Sequence, residues 1–205
     1  MIEPVSTPRT NRTKEHFQLA LISLIKEKGF QDTTVKDIVT TAKYNRSTFY
    51  THYQDKYKLA EDLLFTMLEG LEHAVGKAYQ SRRKVNTKQL TAESFHIVSY
   101  IYEHRDFFEL INYEDTIPEL HTRFPKTILK IYQEKFQFET INNLPVDMNY
   151  FTRYTAYGFY GLLSYWISTG FEASQEEFIE EVIQLARTHM ATVRFVGDSS
   201  DSSRN

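Results

Sequence analysis

Residues 30–59, FQDTTVKDIVTTAKYNRSTFYTHYQDKYKL, contain the pattern that decides the fold. Apolar residues recur in its first half at helical spacing, at Val35, Ile38, Val39 and Ala42. Thr33 or Thr34 stands where the N-cap of that helix is expected, and Asn45 is placed to cap a second short helix that reaches about His52. Two short helices joined by a tight connection are the parts of a helix-turn-helix.

The second short helix carries side chains that are suited to reading DNA. Its only plainly apolar residue is Phe49, so burial alone does not explain this segment. Arg46 could pair with guanine O6 and N7, and the hydroxyl groups of Ser47 and Thr48 could bond to either type of base edge. The alternative is a solvated surface helix with an incidental Arg and Tyr, and the residues by themselves leave both interpretations open.

Charge is distributed unevenly, although the formal net charge of the whole chain is only −3. Residues 1–60 hold ten Lys or Arg and six Asp or Glu, a balance of +4, so the other 145 residues carry −7. Within the basic part, Tyr50, Lys56 and a threonine at the N-terminus of the first short helix could reach phosphate oxygens. This asymmetry suggests that the N-terminal end meets a polyanion such as DNA.

Helical periodicity continues on both sides of this segment. A preceding stripe ends at Gly29 and consists of Phe17, Ala20, Leu21, Leu24 and Ile25. Asp55 opens a long helix on the other side, and proline and asparagine interruptions then separate helices predicted over residues 90–103, 105–113 and 126–141.

The last two predicted helices have the clearest ends. An aromatic helix spans residues 147–169 with Gly170 as its C′ residue, and Ser174 with Glu177 forms a capping box before the final helix. The sequence therefore predicts an all-α fold of about nine helices. We expect a flexible arm over residues 1–12, a helix-turn-helix domain over 13–57, an effector-binding and dimerisation domain over 58–196, and a disordered tail over 197–205.

Composition and motifs exclude several classes of protein. The absence of cysteine excludes a disulfide scaffold and a thiolate zinc site, and the chain lacks both a signal-peptide pattern and an apolar run of eighteen residues. A cytoplasmic protein is therefore expected. Sequence motifs of zinc proteases, serine hydrolases and phosphate-binding loops are absent, so we predict no catalytic residue, metal or cofactor. Glu93 and His96 are half of a di-iron signature, which leaves a helical metalloenzyme as a minor hypothesis.

A recognisable motif lies within about residues 13–60. It consists of Phe30-x-x-Thr-Thr-Val-x-x-Ile38, then Ala42, then Thr48-Phe-Tyr-x-His-Tyr-x-x-Lys-x-x-Leu59. It resembles the DNA-binding end of TetR-family regulators. The resemblance implies that Arg46, Ser47 and Thr48 meet base edges and that Phe49 and Tyr53 pack beneath them. It also implies four residues near phosphates, namely Thr34, Tyr50, His52 and Lys56.

The chain departs from the family's pattern in the turn of the helix-turn-helix. Lys43 occupies a position where the family usually has glycine, and this requires a positive φ or a changed turn. Ser47 likewise replaces a common glycine. These departures leave the predicted fold intact, but they place the operator sequence beyond prediction.

The C-terminal part is expected to dimerise and to bind an effector. A helix-turn-helix reads one half-site, so a palindromic operator requires a dimer. We predict the dimer interface at Gly158, Gly161, Phe178, Val182, Leu185, Ala186, His189 and Val193. Aromatic residues that could line an effector cavity, or fill an ordinary core, are Tyr100, Phe107, Phe108, Tyr113, Tyr132, Phe136, Tyr154, Tyr157 and Trp166.

Two functions remain open at this point. The first is a homodimeric, ligand-responsive repressor of the TetR type, with an aromatic or amphipathic small molecule as effector. The second is a coactivator that works with a protein partner and has no small-molecule effector. Residues 157–171 suggest it, because they are similar to a subset of the family that includes both repressors and protein-partnered activators.

Overall fold

The computed structural model of the chain describes residues 8–76, 90–91, 94–136 and 145–187. All regular secondary structure in these residues is helical, which confirms the predicted all-α class. The elements are α1 (Pro8–Lys28), α2 (Val35–Thr41), α3 (Arg46–Tyr50), α4 (Lys56–Gly76), α5 (His96–Glu103), α6 (Arg105–Phe108), the 3₁₀ helix η1 (Glu109–Asn112), α7 (Leu120–Lys135), α8 (Met148–Ser168) and α9 (Gln175–Arg187).

Local capping signals in the sequence are reproduced by the backbone. Thr34 caps α2 in a reciprocal capping box with Asp37, and the Asn45 side chain caps α3. Ser174 and Glu177 form the predicted capping box before α9, with Glu177 Oε2 2.8 Å from the Ser174 amide. That amide holds the pKa of the Glu177 carboxyl below its usual value. These helix ends follow from short-range hydrogen bonds, which explains why the sequence predicts them.

The turn between α2 and α3 adopts the backbone that its sequence requires. Lys43 has a φ of 59°, so of the two alternatives, a positive φ or a changed turn, the structure shows the positive φ. Its amide donates to Thr40 O and the Tyr44 amide donates to Val39 O, so both bonds of a Schellman motif are present. A lysine therefore carries a conformation that costs about 1–2 kcal/mol for a residue with a Cβ.

Three predicted helix boundaries differ from the structure. Helix α1 already begins at Pro8, inside the stretch predicted as a flexible arm, and proline is tolerated at a first helical position. Helix α5 begins at His96 rather than at residue 90. Helix α7 spans Leu120–Lys135 and contains Pro125, which was expected to precede it. Leu120, Phe124 and Ile128 are fully buried on one face of α7, and this burial outweighs the hydrogen bond that Pro125 removes.

Helix α4 joins the two halves of the molecule. It packs against α1 on the DNA-binding side and against α5 and α7 on the C-terminal side, so one continuous helix crosses the boundary predicted at residues 57 and 58. In the C-terminal half, α7 packs against α8, and α9 packs against α5 and α8. The predicted tail and the C-terminal extension beyond Arg187 lie outside the described residues.

Candidate DNA-binding site

An aromatic cluster supports the helix-turn-helix from below. Phe17 of α1 lies 5.3 Å from Phe49 and 5.1 Å from Tyr44 between ring centroids, and Phe49 lies 5.7 Å from Tyr53. Phe49 is fully buried and Tyr53 is almost so. The expected packing of Phe49 and Tyr53 beneath α3 agrees with this arrangement. The cluster fixes the angle of α3 on α1, so the outer face of α3 is presented from a rigid base.

The predicted base-reading residues occupy the N-terminal turn of α3. Arg46 and Ser47 are exposed and Thr48 is half-buried. The hydroxyl groups of Ser47 and Thr48 both donate to Asn45 Oδ1, at 2.8 and 2.7 Å, and the Thr48 amide donates to the same oxygen at 2.8 Å. Because those hydroxyl hydrogens are used by the cap, the two oxygens are left as acceptors toward a base edge.

Three residues predicted near phosphates also lie at or near the surface of this half. Thr34 is exposed, although its hydroxyl bonds to Asp37, and Tyr50 is 56% exposed. His52 is half-buried, with its ring centroid 6.3 Å from that of Phe17. Burial lowers the pKa of His52, and the nearby Lys14 ammonium lowers it further. The lowered pKa favours the neutral form of the His52 ring, which can still donate a hydrogen bond.

Lys56 is placed differently from the phosphate contact that the resemblance implies. Its Nζ donates to three backbone carbonyl oxygens, those of Phe30, Gln31 and Thr33, each at 2.8 Å. An ammonium group has three N–H donors, so all of them are used within the protein. In this arrangement Lys56 has no donor left for a phosphate. Its phosphate contact stays a prediction.

Contacts from the C-terminal half hold the end of α1, and sequence reasoning missed them. Lys26 Nζ lies 2.8 Å from Asp106 Oδ1 and 2.6 Å from Glu109 Oε2. Burial alone would lower the pKa of Lys26, but its hydrogen bonds to the two carboxylates raise it above the usual value. The partners lie 80 and 83 residues away along the chain, and no local pattern marks such distant pairs.

A second contact from the same region reaches the turn after α1. Asp115 accepts hydrogen bonds from the Gln31 amide through both carboxylate oxygens, at 2.9 and 3.2 Å, and its carbonyl accepts from the Phe30 amide at 3.2 Å. Gly29 adopts a φ of +84° beside this carboxylate, as expected of a glycine that ends a helix. The turn is thus held by Lys56 on one side and by Asp115 on the other.

The aromatic residues predicted for an effector cavity divide into interior and surface groups. Phe107, Phe108 and Trp166 are buried, whereas Tyr100, Tyr113, Tyr132 and Phe136 are half-buried against the core. Tyr154 and Tyr157 are 78% and 46% exposed, so the placement of these two in an interior cavity is corrected. They lie on the outer face of α8, and a count of aromatic residues could not distinguish its two faces.

Ring packing in this interior is close. Trp166 stacks on Phe178 with centroids 4.6 Å apart, and Phe171 meets Trp166 edge-on at 4.8 Å. The indole N–H donates to Ala173 O at 2.8 Å. The hydroxyl of Tyr100 donates to Met67 O at 3.1 Å, and burial, with Glu103 nearby, raises the pKa of Tyr100 to about 12.

Two surface clefts stand out among the described residues, and the predicted aromatic residues line neither of them. One, of about 500 Å³, lies between α1, the start of α4 and Arg123 of α7. The other, of about 450 Å³, lies between residues 90–91 and α9.

The residues predicted for a dimer interface also fall into two groups. Phe178 and Val182 are buried within their own subunit, because the apolar stripe of α9 packs within the fold, and their place in an interface stays a prediction. Gly158, Gly161, Leu185 and Ala186 lie at the surface. His189 and Val193 lie outside the described residues.

Other kinds of site find no support in the described part of the chain. No helix there is long and apolar enough to cross a membrane. Nor do its His, Asp and Glu residues form a group of three that could hold a metal ion. Glu93, on which the metalloenzyme hypothesis rests, is not among the described residues.

Comparisons with known proteins agree with this geometry. Residues 20–63 match the model of the bacterial regulatory proteins of the tetR family, and residues 89–188 match a model of a transcriptional regulator C-terminal region. The chain is 26% identical over 168 residues to the uncharacterized HTH-type transcriptional regulator YxbF of Bacillus subtilis, covering 81% of this chain and 42% of that protein.

Two further similarities extend the comparison. The chain is 28% identical over 132 residues to YttP, a probable HTH-type transcriptional regulator of Bacillus subtilis, covering 63% of this chain and 62% of that protein. It thus spans less than two thirds of the length of either curated relative. A TetR-family regulator structure from Syntrophomonas wolfei superposes with a TM-score of 0.64 at 15% identity, over 91% of this chain and 99% of that one.

Together the two family models cover both halves of the chain, in the order that the fold requires. They confirm the predicted DNA-binding transcriptional regulator and, since members of this family are regulators, the prediction that the chain is not an enzyme. The chain belongs to the TetR family of transcriptional regulators.

Proposed function

We propose that this regulator acts in the cytoplasm as a homodimeric repressor that binds a palindromic operator and is released by an aromatic or amphipathic small molecule. The observation that carries the DNA-binding part is α3, whose exposed Arg46, Ser47 and Tyr50 stand on a helix capped by Asn45 and supported by a buried aromatic cluster. Since α3 reads one half-site, two copies are needed for a palindrome.

The outer face of α8 supports the proposed dimer. Six residues fall within about 100° of arc around the helix axis, and they are Tyr150, Tyr154, Tyr157, Gly158, Gly161 and Tyr165. Tyr150, Tyr154 and Tyr165 are each at least 70% exposed, and a Cβ added at either glycine would meet nothing within 4 Å. A contiguous aromatic stripe of this kind is unusual for a solvated surface, and the glycines allow a second backbone to approach closely.

Replacing Gly161 with leucine should weaken dimerisation by at least about tenfold, because the added side chain would occupy the space that the partner helix needs. The isolated subunit has room for the leucine, so its helix content should not change. Sedimentation equilibrium measures the dimer constant. The matched control is Thr66→Leu, which adds leucine to an exposed position of α4 outside this face. Equal dimer dissociation constants for wild type, Gly161→Leu and Thr66→Leu would show that the outer face of α8 is not part of the dimer interface.

The molecule that the C-terminal half senses has two candidates. A small molecule would have to separate aromatic rings that are close together, such as Trp166 and Phe178. The protein-partnered coactivator is the second candidate, and the close packing of Trp166 against Phe171 and Phe178 favours it, because a protein partner needs no internal cavity. The single tryptophan distinguishes the two: a small effector in the interior should shift Trp166 fluorescence, whereas a protein bound at the surface should not.

Deletion of the gene should raise transcription from the promoter that the protein binds, because a repressor blocks that promoter. The promoter is identified by fluorescence anisotropy with duplexes from the DNA beside the gene, and transcription is read with a reporter. A promoter of a housekeeping gene that the protein does not bind serves as control. If deletion lowers transcription instead, the coactivator replaces the repressor as the function.

A further inference from the structure

The turn between α1 and α2 is built around the ammonium group of Lys56. Three carbonyl oxygens, from Phe30, Gln31 and Thr33, converge on Nζ at 2.8 Å each. The same nitrogen lies 4.7 Å from the centroid of the Phe30 ring, so that ring also faces the cation. Carbonyl oxygens that converge in this way repel one another unless a cation lies between them, and charge-assisted hydrogen bonds are stronger than neutral ones.

Few contacts inside the turn could replace this cation. The Thr33 hydroxyl donates to Gly29 O at 2.7 Å, and the Thr33 amide donates to Phe30 O at 3.2 Å. Helix α2 follows directly and packs against α3. Since Lys56 is the first residue of α4, its side chain connects the α2–α3 pair to the helix that spans both halves of the molecule.

We propose that Lys56 is a positioning residue for DNA binding. It fixes the turn over residues 30–33 and thereby the orientation of α2 and α3 on α4, and it does not itself contact a phosphate. This proposal rests on the DNA-binding function and concerns how one basic side chain serves it. It assigns to Lys56 a role that its position within the family motif did not predict.

The dependence of DNA affinity on salt distinguishes positioning from direct contact. Each phosphate contact made by a protein cation contributes about 0.9 to the slope of log K against log salt concentration. We expect Lys56→Met, measured by anisotropy on the operator duplex between about 50 and 200 mM salt, to lose about tenfold in affinity, because ordering the freed turn on binding costs affinity. The salt slope should stay at the wild-type value.

The matched control is Lys58→Met, which removes the same charge two residues along α4 from an exposed pair with Glu61. It measures how much the salt slope changes when the net charge of the protein falls by one positive charge per chain. Because the operator binds two copies of the chain, a slope lower by about 1.8 in Lys56→Met than in this control, about 0.9 for each copy, would show a direct phosphate contact and overturn the proposal. Wild-type affinity in folded Lys56→Met would also overturn it, because Lys56 would then serve stability only.

Two further measurements keep the outcomes separate. If Lys56→Met does not fold, Lys56→Gln is used, since its amide retains two N–H donors for the carbonyl oxygens. That variant should lose affinity, by less than about tenfold relative to wild type, at an unchanged slope. Wild-type affinity or a reduced slope would count against the proposal as above. Failure of the wild-type protein to prefer the operator over random duplex would refute the proposed operator function instead, and random duplex would then serve for the Lys56 comparison.

Discussion

Replacing Arg46 with alanine should weaken operator binding by about two to three orders of magnitude, because each copy in the dimer would lose a base contact worth about 1–3 kcal/mol. Arg46 is the first residue of α3 and is exposed. Among the described residues its guanidinium has no hydrogen bond or ion pair, so its five N–H donors remain for DNA. Anisotropy titrations with operator and random duplexes measure the loss and show whether it is specific.

The control for Arg46→Ala is Lys36→Ala, which removes one positive charge from an exposed position of α2. Removal of a cation that acts only on phosphates should weaken binding equally on both duplexes and lower the salt slope by about 2, about 1 for each copy in the dimer. Arg46→Ala should instead reduce the ratio of operator to random affinity. An unchanged ratio would mean that Arg46 does not read bases, and the base-edge assignment of the start of α3 would have to be abandoned.

The second large effect is expected at Gly29. Alanine there should lower the free energy of unfolding by about 2–4 kcal/mol, which is about 5–15 °C in Tm for a chain of this size. A φ of +84° costs a residue with a Cβ about 1–2 kcal/mol. The new Cβ would also collide with Oδ2 of Asp115 and displace that carboxylate from the Gln31 amide, at a further cost of about 1–2 kcal/mol. Urea unfolding followed by circular dichroism measures the change.

Two variants separate the strain from the collision. Gly170→Ala places a Cβ at a φ of +68° where nothing lies within 4 Å, so it should show the strain alone. Asp115→Ala removes the carboxylate, so adding Gly29→Ala to it should cost less than Gly29→Ala costs in the wild type. The difference is the coupling energy of the pair. If the unfolding free-energy changes of Gly29→Ala and Asp115→Ala simply add in the double variant, the predicted collision is contradicted. If Gly29→Ala and Gly170→Ala lose the same unfolding free energy, backbone strain alone explains the effect.

Features fixed by neighbouring residues were predictable from the sequence. The caps at Thr34, Asn45 and Ser174 depend on bonds over three residues, and the positive φ of Lys43 follows from its place in the turn. Helix α7 was misjudged because Pro125 is a strong local signal, while the burial that overrides it involves residues from other helices. Local rules cannot weigh a proline against tertiary burial.

Side-chain direction and distant partners were the other limits. The sequence places Tyr154 and Tyr157 among aromatic residues, but only the packed helix shows that they face outward. Periodicity in α9 marks an apolar face correctly, yet it does not reveal that Phe178 and Val182 cover their own subunit. The motif places Lys56 among basic residues near DNA, whereas its three carbonyl partners lie 23 to 26 residues earlier in the chain.

The contacts of Lys26 and of the turn after α1 have a consequence for the order of synthesis. A nascent chain emerges N-terminus first, and domains ordinarily fold in that order. Here Lys26 lacks both carboxylates until Asp106 and Glu109 have left the ribosome, and the turn lacks its other partner until Asp115 follows. The DNA-binding segment is therefore completed by the regulatory half. A chimera that takes its N-terminal segment from one relative should therefore also take residues 106–115 from it, so that the helix-turn-helix keeps its own geometry.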